Sequence, residues 1–230
     1  MTAEDKTIIN NLLDKSLSYL YAYPIGSCAG QNITFSDDAL PLNNTENTLE
    51  RKISECQRCP LHKSRINTVC GMGVEKPLVL VIGEAPGEEE DKQGLPFVGA
   101  AGQLLDKMLA AINLSRKSNT YIANILKCRP PHNRDPLPEE IASCISFLNA
   151  QIQHLHPKAI LLMGRIAAQT ILSTSSPLNQ LHGNFYEYKN IPVMPTYHPS
   201  ALLRNPELKR PAWEDLKNFS TKLKELTMDN

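Results

Sequence analysis

The sequence predicts an α/β protein in which helices cover both faces of a central, mostly parallel sheet of four strands. Short apolar runs alternate with helical patterns, and continuous runs of this kind are typical of strands that are buried on both faces. Such alternation indicates a three-layer α/β/α arrangement. The predicted strands are "PLVLVIG" (77–83), "TYIANIL" (120–126), "KAILLMG" (158–164) and the second arm of a hairpin within 184–199.

The loops that follow three of these strands are expected to lie at one edge of the sheet. Parallel strands end at a common edge, and ligands bind there in open α/β sheets. The three loops begin after Ile82, Leu126 and Tyr197. Helices are predicted between and around the strands at 4–22, 99–114, 138–156, 165–172 and 207–226.

The N-terminal part of the chain differs in composition from the rest. Residues 23–47 are polar and interrupted by Gly, Pro and Asn, which indicates a linker. The sequence therefore predicts an N-terminal helix and flexible linker over residues 1–47, followed by one domain over residues 48–230.

Overall charge and hydropathy exclude several classes of protein. The 230 residues include 24 Lys and Arg and 24 Asp and Glu, so net charge gives no argument for a nucleic-acid partner. No apolar run approaches the roughly 18 residues of a membrane span. The first residues, "MTAEDKTIINNLL", lack the pattern of a secretory signal. We therefore expect an intracellular, cytoplasmic protein that has no membrane partner.

The chain contains six cysteines, which in an intracellular protein indicate metal or cluster ligation better than disulfides. Cys56 and Cys59 form a C-x2-C motif, Cys128 ends the second predicted strand, and Cys144 lies in the next helix. Four thiolates bind either zinc or an iron–sulfur cluster, and His62 could replace one of them in a zinc site. Alternatively, Cys128 and Cys144 are small buried apolar residues.

Four segments together resemble the iron–sulfur uracil-DNA glycosylases, family 4 of the uracil-DNA glycosylase superfamily. The segments are "CQRCPLH", "GEAPGEEEDKQGLPFVGAAGQLLDKML", "NILKCRPPHNRDP" and "TYHPSALLR", and they occur in the family's order. The resemblance implies a DNA repair enzyme that flips uracil out of DNA, hydrolyses its N-glycosidic bond and leaves an abasic site. It also implies a structural 4Fe–4S cluster on Cys56, Cys59, Cys128 and Cys144, and no catalytic metal.

The resemblance assigns the recognition of uracil to three residues. Phe97 would stack on the flipped base, although its local sequence equally suits a core aromatic. Asn124 would bind the O4 and N3–H edge, because an amide offers one donor and one acceptor group, although a strand-end cap is the alternative. His198 would donate a hydrogen bond to uracil O2 and stabilise the negative charge that develops there.

The acidic loop after the first strand supplies further candidates. Glu84 is the first choice for a carboxylate that stabilises the sugar cation or orients water, and Glu90 is the second, as a pocket residue. Ala85 also corresponds to a substrate-binding position. Other branches of the superfamily carry Asp or Asn there, so Ala85 leaves the group that activates water unassigned.

Contacts with DNA are expected from the "HPSALLR" segment. Leu202 would fill the gap left by the flipped nucleotide, and Ser200 and Arg204 would bind flanking phosphates. Six basic residues without an acid between them form either a DNA-binding stripe or an ordinary solvated surface. They are Lys107, Arg116, Lys117, Lys127, Arg129 and Arg134, although Asp106 directly precedes the first of them.

The expected partner is uracil-containing DNA, single- or double-stranded, bound by a monomer. Residues 1–47 are a candidate docking segment for a replication or repair partner. Two alternatives remain at this point: a related glycosylase that prefers hypoxanthine or xanthine, and a catalytically silent iron–sulfur protein that binds DNA.

Overall fold

The computed structural model describes residues 45–228, with side chains from residue 49 onward. The predicted helix at 4–22 and nearly all of the predicted linker lie outside this part of the chain. The first described helix, α1, begins at Thr45, slightly before the expected start of the domain.

The predicted parallel sheet is confirmed, and it is extended at both edges. Its order is β1-β3-β2-β4-β6-β5, in which the central four strands are parallel and the two outer strands are antiparallel to their neighbours. The strands are β1 (Met72–Gly73), β2 (Val79–Gly83), β3 (Thr120–Asn124), β4 (Ala159–Met163), β5 (Tyr186–Tyr188) and β6 (Ile191–Thr196).

The helices begin and end close to their predicted limits. The helix predicted at 99–114 ends at residue 110, and the last helix is displaced to 209–228 behind a short 3-10 turn. The helices are α1 (Thr45–Ser54), α2 (Glu88–Gln93), α3 (Ala100–Ala110), α4 (Pro138–Leu155), α5 (Arg165–Leu172), α6 (Leu178–Leu181), α7 (Pro199–Arg204) and α8 (Lys209–Met228).

Alternate side chains of β2 enter two different apolar clusters, one on each face of the sheet. Leu80 and Ile82 belong to the cluster that includes residues of α1, α4 and α5. Val79 and Val81 belong to the cluster that includes residues of α3 and α8. Because side chains alternate across a strand, this division confirms the three-layer arrangement.

The parallel register aligns the ends of the central strands. Gly83 pairs with Asn124, and Met163 pairs with Thr196, so the loops after β2, β3, β4 and β6 leave the sheet at the same edge. No helix in residues 45–228 is long and apolar enough to cross a membrane.

Candidate active site and cysteine pocket

A cavity of about 490 Å³ opens at the carboxyl edge of the central strands. Its wall includes Glu84 after β2, Asn124 at the end of β3 and His198 after β6, together with Phe97. The structure therefore brings together the three loops that the sequence placed at this edge. It adds the loop after β4, which the sequence analysis did not include, through Gly164 and its neighbour.

Gly83, the last residue of β2, allows two side chains to approach the backbone closely. A Cβ atom at this position would overlap the Oδ1 atom of Asn124 and would lie 2.7 Å from Cζ of Phe97. These distances are shorter than the contacts that Cβ atoms make in proteins. The absence of a side chain at Gly83 therefore creates the space in which the amide and the ring meet.

The side-chain amide of Asn124 lies in this space with its oxygen unpaired. Asn124 is 2 % exposed, and its Oδ1 is the one buried side-chain N or O atom without a hydrogen-bond partner among the described residues. An unpaired buried acceptor costs free energy, and a ligand that donates a hydrogen bond would remove that cost. A strand-end cap would have used this atom, so its unpaired state favours a ligand instead.

His198 precedes α7 and is held by the first turn of that helix. Its Nδ1 accepts a hydrogen bond from the backbone N–H of Ser200 at 3.1 Å, and the Ser200 hydroxyl lies 2.8 Å from the same atom. Because a backbone N–H can only donate, Nδ1 is the acceptor and the neutral ring carries its proton on Nε2. The Ser200 hydroxyl therefore helps to orient the imidazole, and its contact with a phosphate stays a prediction.

Burial, together with the positive charge of Arg204, lowers the pKa of His198 to about 4. The imidazole is therefore neutral at pH 7, and its Nε2–H remains a donor without a positive charge. Gly164, with φ of +90°, passes close beside it, since a Cβ there would lie 3.0 Å from Cβ of His198. A larger residue would be strained at this φ and would displace the ring.

Phe97 is nearly buried and has an unusual backbone conformation. It is 6 % exposed, its φ is +52°, and its ring centroid lies 5.4 Å from that of His198. The Glu90 carboxylate accepts hydrogen bonds from the backbone N–H groups of Val98 at 2.9 Å and Gly99 at 3.1 Å, and also from that of Gly87. Glu90 therefore lines the cavity as predicted in position, but its oxygens are engaged in holding the Phe97 loop.

Glu84 is a carboxyl group of the cavity wall that has a strongly raised pKa. Burial first, and then the negative charge of Asp135, raises the pKa of Glu84 to about 7, while Arg165 opposes the shift. Arg165 and Asp135 form an ion pair on the same cavity wall. A carboxyl group that titrates near pH 7 is suited to proton transfer or to holding water.

The sequence analysis missed both Asp135 and Arg165. A signal existed for Arg165, because it follows the "LLMG" end of β4 at the same edge of the sheet. Ala85, which was predicted at the substrate site, does line the cavity. Its methyl group has no polar atom and packs against an apolar cluster of the core.

The predicted wedge residue, Leu202, is buried in the structure. Leu202 is 2 % exposed and packs in the cluster of α3 and α8, so it could reach DNA only if α7 were repacked. The next residue, Leu203, is 47 % exposed. Neighbouring residues on a helix point in different directions, so α7 exposes Leu203 and buries Leu202. Arg204 is exposed and lines the cavity.

Two members of the predicted basic stripe, Lys127 and Arg116, have structural partners. Lys127 is 1 % exposed, and its Nζ donates to the backbone oxygen of Asn124 at 2.8 Å and to Oε1 of Gln151 at 2.6 Å. Arg116 binds Asp106 and loop carbonyl groups.

The four predicted cysteine ligands line one small pocket. Cys56, Cys59, Cys128 and Cys144 are all free thiols, and Cys70, the remaining described cysteine, is not part of the lining. Cys28 lies outside the described residues.

Two N–H groups donate to sulfur atoms in this pocket. Nη1 of Arg65 lies 3.3 Å from Sγ of Cys128, and the backbone N of Lys127 lies 3.4 Å from Sγ of Cys144. No three His, Cys, Asp or Glu side chains in the described part of the chain stand close enough to hold a single metal ion. Nδ1 of His62 is bonded to the Cys59 carbonyl at 2.8 Å.

The fold and the cavity define an α/β enzyme whose site suits a flat heterocycle, since an aromatic ring, an unpaired amide and a neutral imidazole surround it. The family model of the uracil DNA glycosylase superfamily matches residues 70–217. A type-4 uracil-DNA glycosylase of Archaeoglobus fulgidus is 44 % identical over 177 residues, which cover 74 % of this chain and 88 % of that protein.

Two further relatives also belong to uracil-DNA glycosylase families. A type-4 uracil-DNA glycosylase of Thermotoga maritima is 41 % identical over 180 residues, 76 % of this chain and 93 % of that one. A type-5 uracil-DNA glycosylase of Pyrobaculum aerophilum is 31 % identical over 140 residues, 54 % of this chain and 62 % of that one. The chain therefore belongs to the uracil-DNA glycosylase superfamily and, within it, to the type-4 family.

Proposed function

We propose that the protein removes uracil from DNA by hydrolysing the N-glycosidic bond, which leaves an abasic site. The observation that carries the proposal is the unpaired, buried Oδ1 of Asn124 beside the Phe97 ring. A base inside a duplex cannot reach a buried amide, so the nucleotide must first rotate out of the stack.

Recognition of uracil follows from the chemistry of the Asn124 amide. Its oxygen accepts from uracil N3–H, and its NH₂ group donates to O4. Cytosine presents an acceptor at N3 and a donor at N4, so both amide groups would face like groups and remain unpaired in a buried site. The face of Phe97 supports the base by stacking.

Bond cleavage places negative charge on the departing uracil and positive character on the sugar. Nε2–H of His198 donates to uracil O2 and stabilises the negative charge, in the manner of an oxyanion-hole donor. The neutral imidazole donates this hydrogen bond through Nε2–H and carries no positive charge itself. The carboxylate form of Glu84 stabilises the sugar or orients the attacking water.

Contacts with DNA come from the rim of the cavity. Arg204 is exposed at this rim and binds a flanking phosphate. Leu203, which is exposed on the same helix, takes the place that the sequence assigned to Leu202 and fills the gap left by the flipped nucleotide.

We also propose that the four cysteines hold a 4Fe–4S cluster. Four thiols face one pocket, and the N–H donors at Cys128 and Cys144 suit sulfur atoms that carry negative charge. A cluster is wider than a single ion, so its ligands stand further apart than the ligands of zinc. When bound, the cluster would link the loops that carry Cys56, Cys59 and Cys128 to helix α4, which carries Cys144, and the steps above use only side chains of the cavity.

The test is a cleavage assay on oligonucleotides that contain uracil, hypoxanthine, xanthine or cytosine at one position, followed by alkali. We expect strand breaks only with uracil, and a large loss for Asn124→Ala. Cleavage mainly at hypoxanthine or xanthine would establish a shifted base preference. Cleavage at none of them, combined with tight binding to the same oligonucleotides, would establish a silent DNA-binding protein.

A further inference from the structure

The guanidinium group of Arg116 is bound to the loop that carries Phe97. Its Nη1 donates to the carbonyl oxygen of Pro96 at 2.9 Å, and its Nη2 donates to that of Phe97 at 3.0 Å. Asp106 holds the same guanidinium group from the side of α3, at 2.8 Å. The Arg116 side chain is only 10 % exposed, so its charge serves the loop rather than the solvent.

Arg116 and Glu90 bind consecutive peptide groups of this loop with opposite charges. The cation binds the two carbonyl oxygens, and the anion binds the two N–H groups that follow them, at Val98 and Gly99. Hydrogen bonds to charged groups are stronger than those between neutral groups. The Phe97 peptide is therefore fixed from both sides.

Such fixation is needed because the backbone of Phe97 is strained. A bulky residue at φ of +52° occupies the left-handed region, which side chains disfavour, and this conformation persists only where the surroundings impose it. Gly102 contributes as well, because a Cβ atom there would overlap the Phe97 carbonyl group. Without these contacts the loop would relax, and the ring would leave its place beside Asn124.

We propose that Arg116 is a positioning residue for base recognition, which acts by holding the Phe97 ring over the cavity. The proposal rests on the proposed function, since it concerns the ring on which the base stacks. Arg116 does not line the cavity, and its effect on turnover must pass through Phe97.

A double-mutant cycle tests this dependence. Arg116→Met is expected to lower kcat/KM for uracil release by about 10- to 100-fold, because a small misplacement of a binding group has effects of this size. In the Phe97→Ala background the same substitution is expected to change kcat/KM by less than about twofold. If the two losses multiply instead, Arg116 acts elsewhere and the proposal is wrong.

Two further variants guard against a general loss of structure. Asp106→Asn removes the negative charge of the other partner but keeps an oxygen that can accept from Nε of Arg116. Because the bonds to the loop remain, this variant is expected to retain wild-type kcat/KM. Arg116→Lys keeps the positive charge but loses the two guanidinium nitrogens that bind the loop carbonyl groups together. Its kcat/KM is expected to lie between those of the wild type and Arg116→Met. An equal loss in Asp106→Asn and Arg116→Met would assign the effect to the ion pair and overturn the proposal.

Hydrogen exchange provides a measurement that does not depend on activity. Arg116→Met is expected to accelerate exchange of the Val98 and Gly99 amides on the order of tenfold, and Asp106→Asn to leave it unchanged. Unchanged exchange in Arg116→Met would show that Arg116 does not hold the Phe97 loop. This result would refute the proposal even in a protein that releases no uracil. Absence of uracil release by the wild-type protein, with accelerated exchange in the variant, would refute the proposed function alone.

Discussion

The cavity and the cysteine pocket adjoin each other but are constructed differently. The cavity uses the ends of regular strands, at Gly83, Asn124 and Gly164, and it contains an acceptor that no protein group satisfies. The cysteine pocket joins loops to a helix, since Cys56, Cys59 and Cys128 lie outside helices and strands and Cys144 lies in α4. The comparison indicates that the sheet positions the groups that act on the base, whereas the thiols connect loops to helix α4.

Lys127 contacts both the cysteine pocket and the cavity residue Asn124. Its backbone N donates to the sulfur of Cys144, and its Nζ donates to the backbone oxygen of Asn124. This difference can be tested, because changes at the thiols should affect stability first and changes in the cavity should affect turnover first.

The largest expected effect is that of Cys128→Ser. We expect complete loss of the broad visible absorbance of an iron–sulfur cluster, together with a fall in Tm of at least about 5 °C, since metal binding is coupled to folding. The measurements are an absorbance spectrum of protein purified without air and a thermal melt. A matched Cys70→Ser variant, altered outside the pocket, should retain its colour. A colourless wild-type protein that carries zinc would contradict the assignment.

His198→Ala should have the next largest effect. Loss of a donor to the developing negative charge typically costs about 100- to 1000-fold in kcat. The measurement is single-turnover release of uracil, alongside DNA binding and the absorbance spectrum, both of which should be unchanged. Ser200→Ala is the matched control, because the backbone N–H that binds Nδ1 remains, and its loss should be much smaller. Equal losses would mean that orientation by the hydroxyl dominates.

Glu84 predicts a pH dependence of the reaction. Because its pKa is raised to about 7 and the carboxylate is the active form, kcat/KM should fall about tenfold per pH unit below that value. Glu84→Gln should lack this dependence. Asp135→Asn removes the negative charge that contributes to the shift, so the fall should begin at lower pH. If kcat/KM of the wild-type protein does not change between roughly pH 5 and pH 8, the carboxylate of Glu84 does not have this role in the reaction.

The same group makes a prediction about stability. A carboxyl group whose pKa in the folded protein is raised from 4.5 to about 7 favours the folded state below pH 4.5, and this contribution is lost as the pH rises through about 7. Glu84→Gln should therefore gain stability relative to the wild type mainly above pH 7. The measurement is the free energy of unfolding at pH 5 and pH 8, roughly either side of the shift.

The smallest expected effect concerns the two leucines of α7. Leu203→Ala should weaken binding to uracil-containing DNA by only a few-fold, about 1 kcal/mol, and leave Tm unchanged. Leu202→Ala should lower Tm, because the side chain belongs to the core. The reverse pattern would restore Leu202 as the wedge.

Much of the fold follows from the sequence because the central strands are continuous apolar runs. The strands predicted at 77–83, 120–126 and 158–164 are found at Val79–Gly83, Thr120–Asn124 and Ala159–Met163. The strand β1, Met72–Gly73, has two exposed residues and no periodic pattern, so only pairing with β3 defines it. The domain boundary, the N-terminal helix, the monomeric state and a partner for residues 1–47 stay predictions.

The candidate site was predictable where a residue's role depends on its place at the end of a strand, as for Asn124. It was not predictable where the role depends on contacts between distant segments. Arg116 contacts the Phe97 loop across about twenty positions of sequence, and Lys127 is buried by the packing of α4. The side chains that an α-helix exposes also depend on its exact phase, which in α7 makes Leu203 exposed and Leu202 buried.

The closeness of Gly83 to both Asn124 and Phe97 has a consequence for engineering. Gly83→Ala adds a single methyl group at the end of a strand, where the sheet itself can accommodate a side chain, yet that methyl group would occupy the space reserved for the amide and the ring. Folding and catalysis could thus be uncoupled by the smallest change available to a protein. The resulting inactive but intact molecule would serve as the reference against which every other variant is measured.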